Sequence, residues 1–222
     1  MRTVIFDLDG TLADTSADLV AAANACFRDI GAGDLLDPLQ DALTAFHGGR
    51  AMLRLGFSRL GGASEEVVDE QYPKLLLAYE ADIDRQTRLY PGAAEAIEAL
   101  RSAGFATGIC TNKPERLAEL LMVRLGVRGL FGSLVGADTL AVRKPDPAPY
   151  RLSVERAGGA VAQSILIGDT ETDLLTAEAA GVPVALVTFG PEGHGIARLS
   201  PGALLDDYGD LPALALRLLG EG

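Results

Sequence analysis

From Tyr90 to the end of the chain, short apolar runs alternate with stretches of helical periodicity, and no other feature narrows the fold as much. Tyr90-Pro91-Gly92 opens a helix over 93–102, and Gly104 leads into a strand over 105–110. A helix over 115–125 follows, then a short apolar run at Leu134-Val135. The pattern continues with a helix over about 147–157, a strand over 165–167, a helix over 174–180, a strand over 182–187 and a last helix over 211–219. Near the N-terminus, Val4-Ile5-Phe6 reads as a further buried strand, stopped by Asp7-Leu8-Asp9-Gly10-Thr11. Strands that alternate with helices imply right-handed crossovers and a parallel sheet covered on both faces.

One long stretch departs from this alternation. Leu19, Val20, Ala23, Phe27 and Ile30 recur at helical spacing, and Gly31 and Gly33 then stop that helix. Residues 38–85 contain no convincing strand, only helical patterns over 39–46, 50–60 and 65–83, separated by Gly48-Gly49 and Gly61-Gly62. The expectation is therefore an α/β protein with a Rossmann-like parallel-sheet core formed by residues 1–14 and 89–222. Residues 15–88 are expected to form an inserted all-helical domain. A chain of 222 residues can bury about 70% of its unfolded surface, so such a core needs no staples.

Charge excludes several classes of partner. Nineteen basic residues against 31 acidic ones give a formal net charge of −12, which repels phosphate backbones and anionic lipid, so neither nucleic acid nor membrane is expected as a partner. A hydrophobic fraction of 48% is ordinary for a globular protein and argues against disorder. Cys26 and Cys110 sit in apolar runs without metal-ligand spacing and read as buried reduced thiols. The N-terminal apolar run is only three residues long, too short for a signal sequence, and no uninterrupted apolar stretch approaches the roughly 18 residues of a membrane span. These features lead to the expectation of a cytoplasmic protein.

Chemistry in an open parallel sheet collects at the carboxyl ends of the strands. Here those ends carry Asp7-Leu8-Asp9-Gly10-Thr11, Thr111-Asn112-Lys113, Arg143-Lys144-Pro145-Asp146 before a helix, and Gly168-Asp169-Thr170-Glu171-Thr172-Asp173. Any one of them alone reads as a helix cap. Together on one edge, Asp7, Asp9, Asp169 and Asp173 would raise one another's pKa unless something neutralised them. A hard divalent cation does so, and Mg2+ favours one or two carboxylates together with waters and phosphate oxygens. Lys144 adds a point charge, and Thr111 and Asn112 add hydrogen bonds. That combination suits a phosphoryl group.

These residues resemble the four motifs of the haloacid dehalogenase-like hydrolases, in order and over nearly the whole chain. Asp7-Leu8-Asp9-Gly10-Thr11 matches the first, Thr111 the second, Lys144 the third, and Gly168-Asp169 with Asp173 the fourth. The resemblance implies Asp7 as nucleophile, forming an aspartyl-phosphate, and as a Mg2+ ligand. It implies Asp9 as the acid and base that serves the leaving oxygen and then the water, its backbone carbonyl touching the metal. Thr111, Asn112 and Lys144 would hold the phosphoryl group. Asp169 would ligate the metal, and Asp173 would act through water or as the partner of Lys144. The inserted helices would be the cap, with Arg50 near a helix start as a candidate substrate contact and His47 and Arg54 as weaker ones. His194, in Gly193-His194-Gly195, reads as an exposed loop histidine.

Asp9 argues against the dehalogenase branch, where no proton goes to a leaving oxygen. The stretches around Asp9, Thr111 and Lys144 look most like those of the phosphoglycolate phosphatases and also occur in related small-molecule phosphatases, so the expected partner is a small phosphorylated metabolite. Two alternatives remain at this point: a sugar-phosphate mutase, suggested by the Gly48-Gly49-Arg50 spacing, and a non-catalytic binding protein that retains the fold.

Overall fold

The apolar run after the N-terminus becomes the middle of a parallel sheet. In the computed structural model, which describes residues 1–220, the strands are β1 (Thr3–Phe6), β2 (Ala13–Asp14), β3 (Arg88–Leu89), β4 (Ala106–Cys110), β5 (Ser133–Val135), β6 (Ser164–Gly168), β7 (Val184–Val187) and β8 (Ala203–Leu205). Six of them form one sheet in the order β5-β4-β1-β6-β7-β8, every pair parallel. This is the strand order of a doubly wound α/β fold. The chain divides into two compact units, one of residues 1–13 with the described residues from 89 onward, the other Asp14–Arg88.

The first unit carries the sheet and the helices α5 (Ala93–Ser102), α6 (Glu115–Arg124), α7 (Pro147–Arg156), α8 (Glu171–Ala180) and α9 (Leu211–Leu219), numbered in chain order after the four helices of the second unit. Strand residues alternate between faces. Ile5, Cys110, Leu166, Val184 and Leu186 pack with Tyr150 and Val154 of α7 and Ala177 of α8 in one buried cluster. β1 is buried along its whole length, as a central parallel strand must be. Its register aligns Phe6 with Ile109 of β4 and Ile167 of β6, so the residues that follow these three strands emerge level with one another. That alignment positions the site.

Local chemistry moved several boundaries. α8 starts at Glu171 rather than 174 because Thr170 and Asp173 form a reciprocal capping box. β7 starts at Val184 rather than 182 because the Val182 N–H donates to the Ala177 carbonyl at the end of α8, and Pro183 has no N–H to give a ladder. β8 was not expected at all. It is three residues after Pro201-Gly202, too short for a periodic signal, and exists through its pairing with β7.

The second unit contains α1 (Ser16–Asp29), α2 (Ala42–Ala45), α3 (Gly49–Ser58) and α4 (Glu65–Ala81). α2 covers only the middle of the expected 39–46 stretch. Asp37 Oδ1 accepts from the Leu39 and Gln40 N–H groups, a local alternative to a helical turn, and Leu39 is left 88% exposed. Gly56 of α3 lies against the Phe27 ring so closely that any Cβ would overlap it. Among the described residues, no helix is long and apolar enough to cross a membrane.

One buried carboxylate closes the second unit. Asp18 of α1 accepts from Gln86 N at 2.9 Å and from Thr87 N and Thr87 Oγ1, both at 2.8 Å. Asp18→Ala strands the Thr87 donors in a buried place, at about 1–3 kcal/mol for each unpaired group. We expect about 3 kcal/mol lost in urea unfolding, and less for Asp18→Asn, which keeps one acceptor. A loss below about 1 kcal/mol would show that these bonds do not hold the unit closed.

Candidate active site

Asp7 follows β1 directly, and its N–H still donates to Ile167 O of β6, so its Cα is fixed by the sheet ladder. Its Oδ1 accepts from Leu8 N at 2.7 Å and lies 3.1 Å from Lys144 Nζ. The same ammonium donates to Asp173 Oδ1 at 2.6 Å, with the lysine side chain 1% exposed. Burial alone would strip the Lys144 proton, but Asp173 and Asp7 outweigh it and hold the pKa above the ordinary lysine value. Asn112 donates through Nδ2 to the Lys144 carbonyl at 3.0 Å, which ties its amide to the lysine loop and leaves the second N–H of that amide able to meet an anion.

Asp173 spends both oxygens inside the protein. Oδ1 receives Lys144, and Oδ2 accepts from Thr170 Oγ1 at 2.7 Å and from the Asp169 and Thr170 N–H groups at 3.2 Å. Of the two roles the resemblance offered it, this geometry is that of a partner for Lys144. Asp169 is different. Oδ1 accepts from Thr11 Oγ1 at 2.6 Å, while Oδ2 is buried with no hydrogen-bond partner. A buried carboxylate oxygen left unpaired is costly unless a ligand completes it.

Ligand atoms of Asp7, Asp169 and Asp173 lie within 4.8 Å of one another. Three buried carboxylates against the single ammonium of Lys144 leave two negative charges uncompensated. Burial, opposed by Lys144, pushes the Asp7 carboxyl up to about 6. Burial, then Asp173 and Asp7, push Asp169 well above the usual carboxylate range. The orphaned Asp169 oxygen, the surplus charge and the all-oxygen donor set fit a hard divalent cation.

The remaining expected residues fall around this cluster. Thr111, after β4, is buried, and its Oγ1 accepts from Lys113 N at 3.2 Å, which leaves the hydroxyl proton to donate elsewhere. Asp9 does not contribute its carboxylate to the acidic cluster; it receives Lys113 Nζ at 2.8 and 3.1 Å. Lys113, Thr11 and Tyr208, whose hydroxyl donates to Thr11 O at 2.7 Å, were not singled out from the sequence. Lys113 had a usable signal, lying two residues past Thr111 at a strand end.

Within the second unit, Arg50 Nε donates to Asp69 Oδ1 at 2.9 Å, and the guanidinium stacks 3.8 Å from the Tyr72 ring centroid. Arg54 forms a bidentate pair with Glu65, and Arg59 one with Asp41. His47 is exposed, as is His194, whose Nδ1 lies 3.9 Å from Asp206.

A model of the haloacid dehalogenase-like hydrolases matches residues 1–181. The chain belongs to this family. The hydrolase is 39% identical over 222 residues to the phosphoglycolate phosphatase of Agrobacterium fabrum, covering 98% of this chain and 94% of the relative. It is 40% identical over 190 residues to that of Xanthomonas campestris pv. campestris, covering 85% and 84%. The crystal structure of a predicted phosphoglycolate phosphatase from Haemophilus somnus aligns with a TM-score of 0.84 at 24% identity, covering 96% and 97% of the two chains. CbbY from Rhodobacter sphaeroides, solved in complex with phosphate, gives 0.80 at 22%, covering 98% and 100%. At these identities the two structures establish the fold.

The acidic cluster makes a signed prediction. A folded pKa raised above the unfolded value means that the hydrolase without metal loses stability at this site as pH rises towards and past about 6. A divalent cation competes with those protons and finds the carboxylates ionised above that range. Saturating MgCl2 should therefore raise Tm more at about pH 8 than at about pH 5, as read by scanning calorimetry. An equal or smaller rise at the higher pH would count against cation binding by this cluster.

Proposed function

We propose that this hydrolase is a Mg2+-dependent phosphatase of small phosphate monoesters, with 2-phosphoglycolate as its substrate, working through an aspartyl-phosphate on Asp7. The observation that carries the reading is the pairing of Asp7 with Lys144 beside the unsatisfied Asp169 oxygen. Support for the substrate comes from the relatives named phosphoglycolate phosphatase at 39% and 40% identity. Buried, reduced Cys26 and Cys110, the latter pushed up to about 12 by burial, support a reducing cytoplasmic setting.

Asp7 and Asp169, with the backbone carbonyl of Asp9, would hold the metal, which supplies charge neutralisation for the phosphate oxygens. Thr111 and Lys144 hold the phosphoryl group against Asp7. A carboxylate oxygen of Asp7 attacks phosphorus and the ester P–O bond breaks. Asp9 gives its proton to the departing oxygen, leaving an alcohol and the Asp9 carboxylate. Asp9 then takes a proton from water as that water attacks phosphorus, and the bond between phosphorus and Asp7 breaks to release phosphate. Asp173 keeps Lys144 charged and aimed at Asp7 throughout. Asn112 serves by holding the Lys144 loop.

Arg50 is proposed to meet the carboxylate of the substrate. Its pair with Asp69 and its stack on Tyr72 orient the guanidinium, whose side chain stays 41% exposed.

Asp7→Asn should abolish turnover of every phosphate ester in MgCl2-containing buffer while leaving the circular dichroism spectrum intact, because the amide is neither nucleophile nor anionic ligand. Turnover near the wild-type rate would remove Asp7 from the mechanism. Arg50→Ala should cost about 2 kcal/mol of transition-state binding with 2-phosphoglycolate, near thirtyfold in kcat/KM, and leave an aryl phosphate almost unchanged. A ratio of the two kcat/KM values that does not move would make Arg50 a structural residue of α3.

A further inference from the structure

We infer that Lys113 is a positioning residue for Asp9: it fixes the carboxylate that handles the proton of the leaving group. The inference rests on the phosphatase reading above and adds a residue to it.

The backbone around Asp9 is fixed without its side chain. Thr11, Leu12 and Ala13 all donate their N–H groups to Leu8 O, and Gly10 N donates to Ala13 O, with Gly10 at a positive φ of 81°. These bonds set the Cα of Asp9 but not its side-chain torsions. Lys113 sets them. Its ammonium bonds both oxygens, at 2.8 and 3.1 Å, a contact that defines the plane of the carboxylate as well as its place.

Lys113 is itself held like a strut. Its N–H donates to Thr111 Oγ1 at 3.2 Å, and its carbonyl accepts from Ala137 N at 2.9 Å, so the residue is anchored between the ends of β4 and β5. The side chain is 3% exposed against 19% for Asp9. An ammonium buried to this degree needs an oxygen acceptor, which Asp9 offers both before and after it gives up the leaving-group proton, and a side chain at the edge of solvent acquires one fixed orientation from it. One residue thereby links the hydroxyl proposed to hold the phosphoryl group with the carboxyl proposed to serve its leaving oxygen. Proximity effects are steep, and a misplacement of about 1 Å can cost about a hundredfold.

The test separates positioning from general support. Single-turnover phosphorylation rates are measured for an alkyl and an aryl phosphate in wild type, Asp9→Asn, Lys113→Met and the double variant. An aryl leaving group needs no proton, so Lys113→Met should lower the alkyl rate about tenfold or more beyond any change in the aryl rate. In the Asp9→Asn background the same substitution should change neither rate by more than about threefold, since the group it positions is gone. Lys113→Arg, which keeps a cation able to reach both oxygens, should recover most of the alkyl rate and serves as the comparison if Lys113→Met does not fold.

Equal losses on both esters, or an undiminished loss in the Asp9→Asn background, would overturn the role of Lys113 while leaving the phosphatase reading intact. If Lys113→Met does not fold, an alkyl rate in Lys113→Arg that falls in step with its aryl rate does the same. A wild type that hydrolyses neither ester overturns both. An Asp9→Asn variant that slows both esters equally removes Asp9 as the leaving-group acid, and the role of Lys113 with it.

Discussion

Lys144 Nζ lies 3.1 Å from Asp7 and 2.6 Å from Asp173, away from water, and the arrangement of four segments follows from keeping it there. A buried ammonium is tolerated only when paired, and removing one partner of such a pair typically costs about 3–5 kcal/mol. Asp173 is therefore tied down by Thr170 and by the Asp169 N–H, and the lysine carbonyl by Asn112. The ends of β1, β4 and β6 and the loop before α7 thus depend on one charge. That charge serves the proposed chemistry as well, because Asp7 beside a fixed cation can be a carboxylate despite its burial.

An acidic protein that takes an anionic substrate needs positive charge at the point of contact. Helix N-termini often supply it. Here the starts of α7 and α8 are spoken for: Asp146 accepts from Ala148 N at the start of α7, and Thr170 with Asp173 closes the start of α8. Local positive charge comes from Lys144 and Lys113, and the acidic cluster is suited to hold a cation beside them. The two surplus negative charges and the unpaired Asp169 oxygen are thus one feature seen twice, an unfavourable arrangement that a divalent ion makes favourable.

Much of the sheet was legible because a buried parallel strand announces itself as an apolar run and because the residues after it are polar. Asp7, Thr111 and Asp169 could be assigned to one edge from that pattern alone. The Asp9–Lys113 pair could not, since the partners are 104 residues apart and each reads locally as an ordinary polar residue at a strand end. β8 was missed for a different reason: its conformation is imposed by β7 and not by its own three residues. Leu39 shows the converse error, an apolar residue counted towards a helix where the Asp37 carboxylate captures the backbone N–H groups instead. The partners of Arg50 were equally hidden, because Asp69 and Tyr72 lie on another helix of the second unit.

The spacing of the acidic cluster is set by what is missing from its glycines. A Cβ on Gly168 would overlap the Asp173 side chain, and one on Gly190 would stand 2.7 Å from the Gly10 carbonyl and 3.3 Å from Asp169 Cβ. Real Cβ atoms do not approach so closely, so any side chain at either place would push the carboxylate-bearing segments apart. Coulomb repulsion among buried carboxylates works in the same direction and grows as their separation shrinks. Glycine removes the steric barrier but leaves the electrostatic one, and without a cation burial, with that repulsion added to it, holds the Asp7 and Asp169 carboxyl pKa values up. Stability given up at a site to keep like charges close is the ordinary signature of function rather than of folding. Gly168 and Gly190 are therefore as much a part of the site as the carboxylates, since they let Asp169 and Asp173 stand as close as they do.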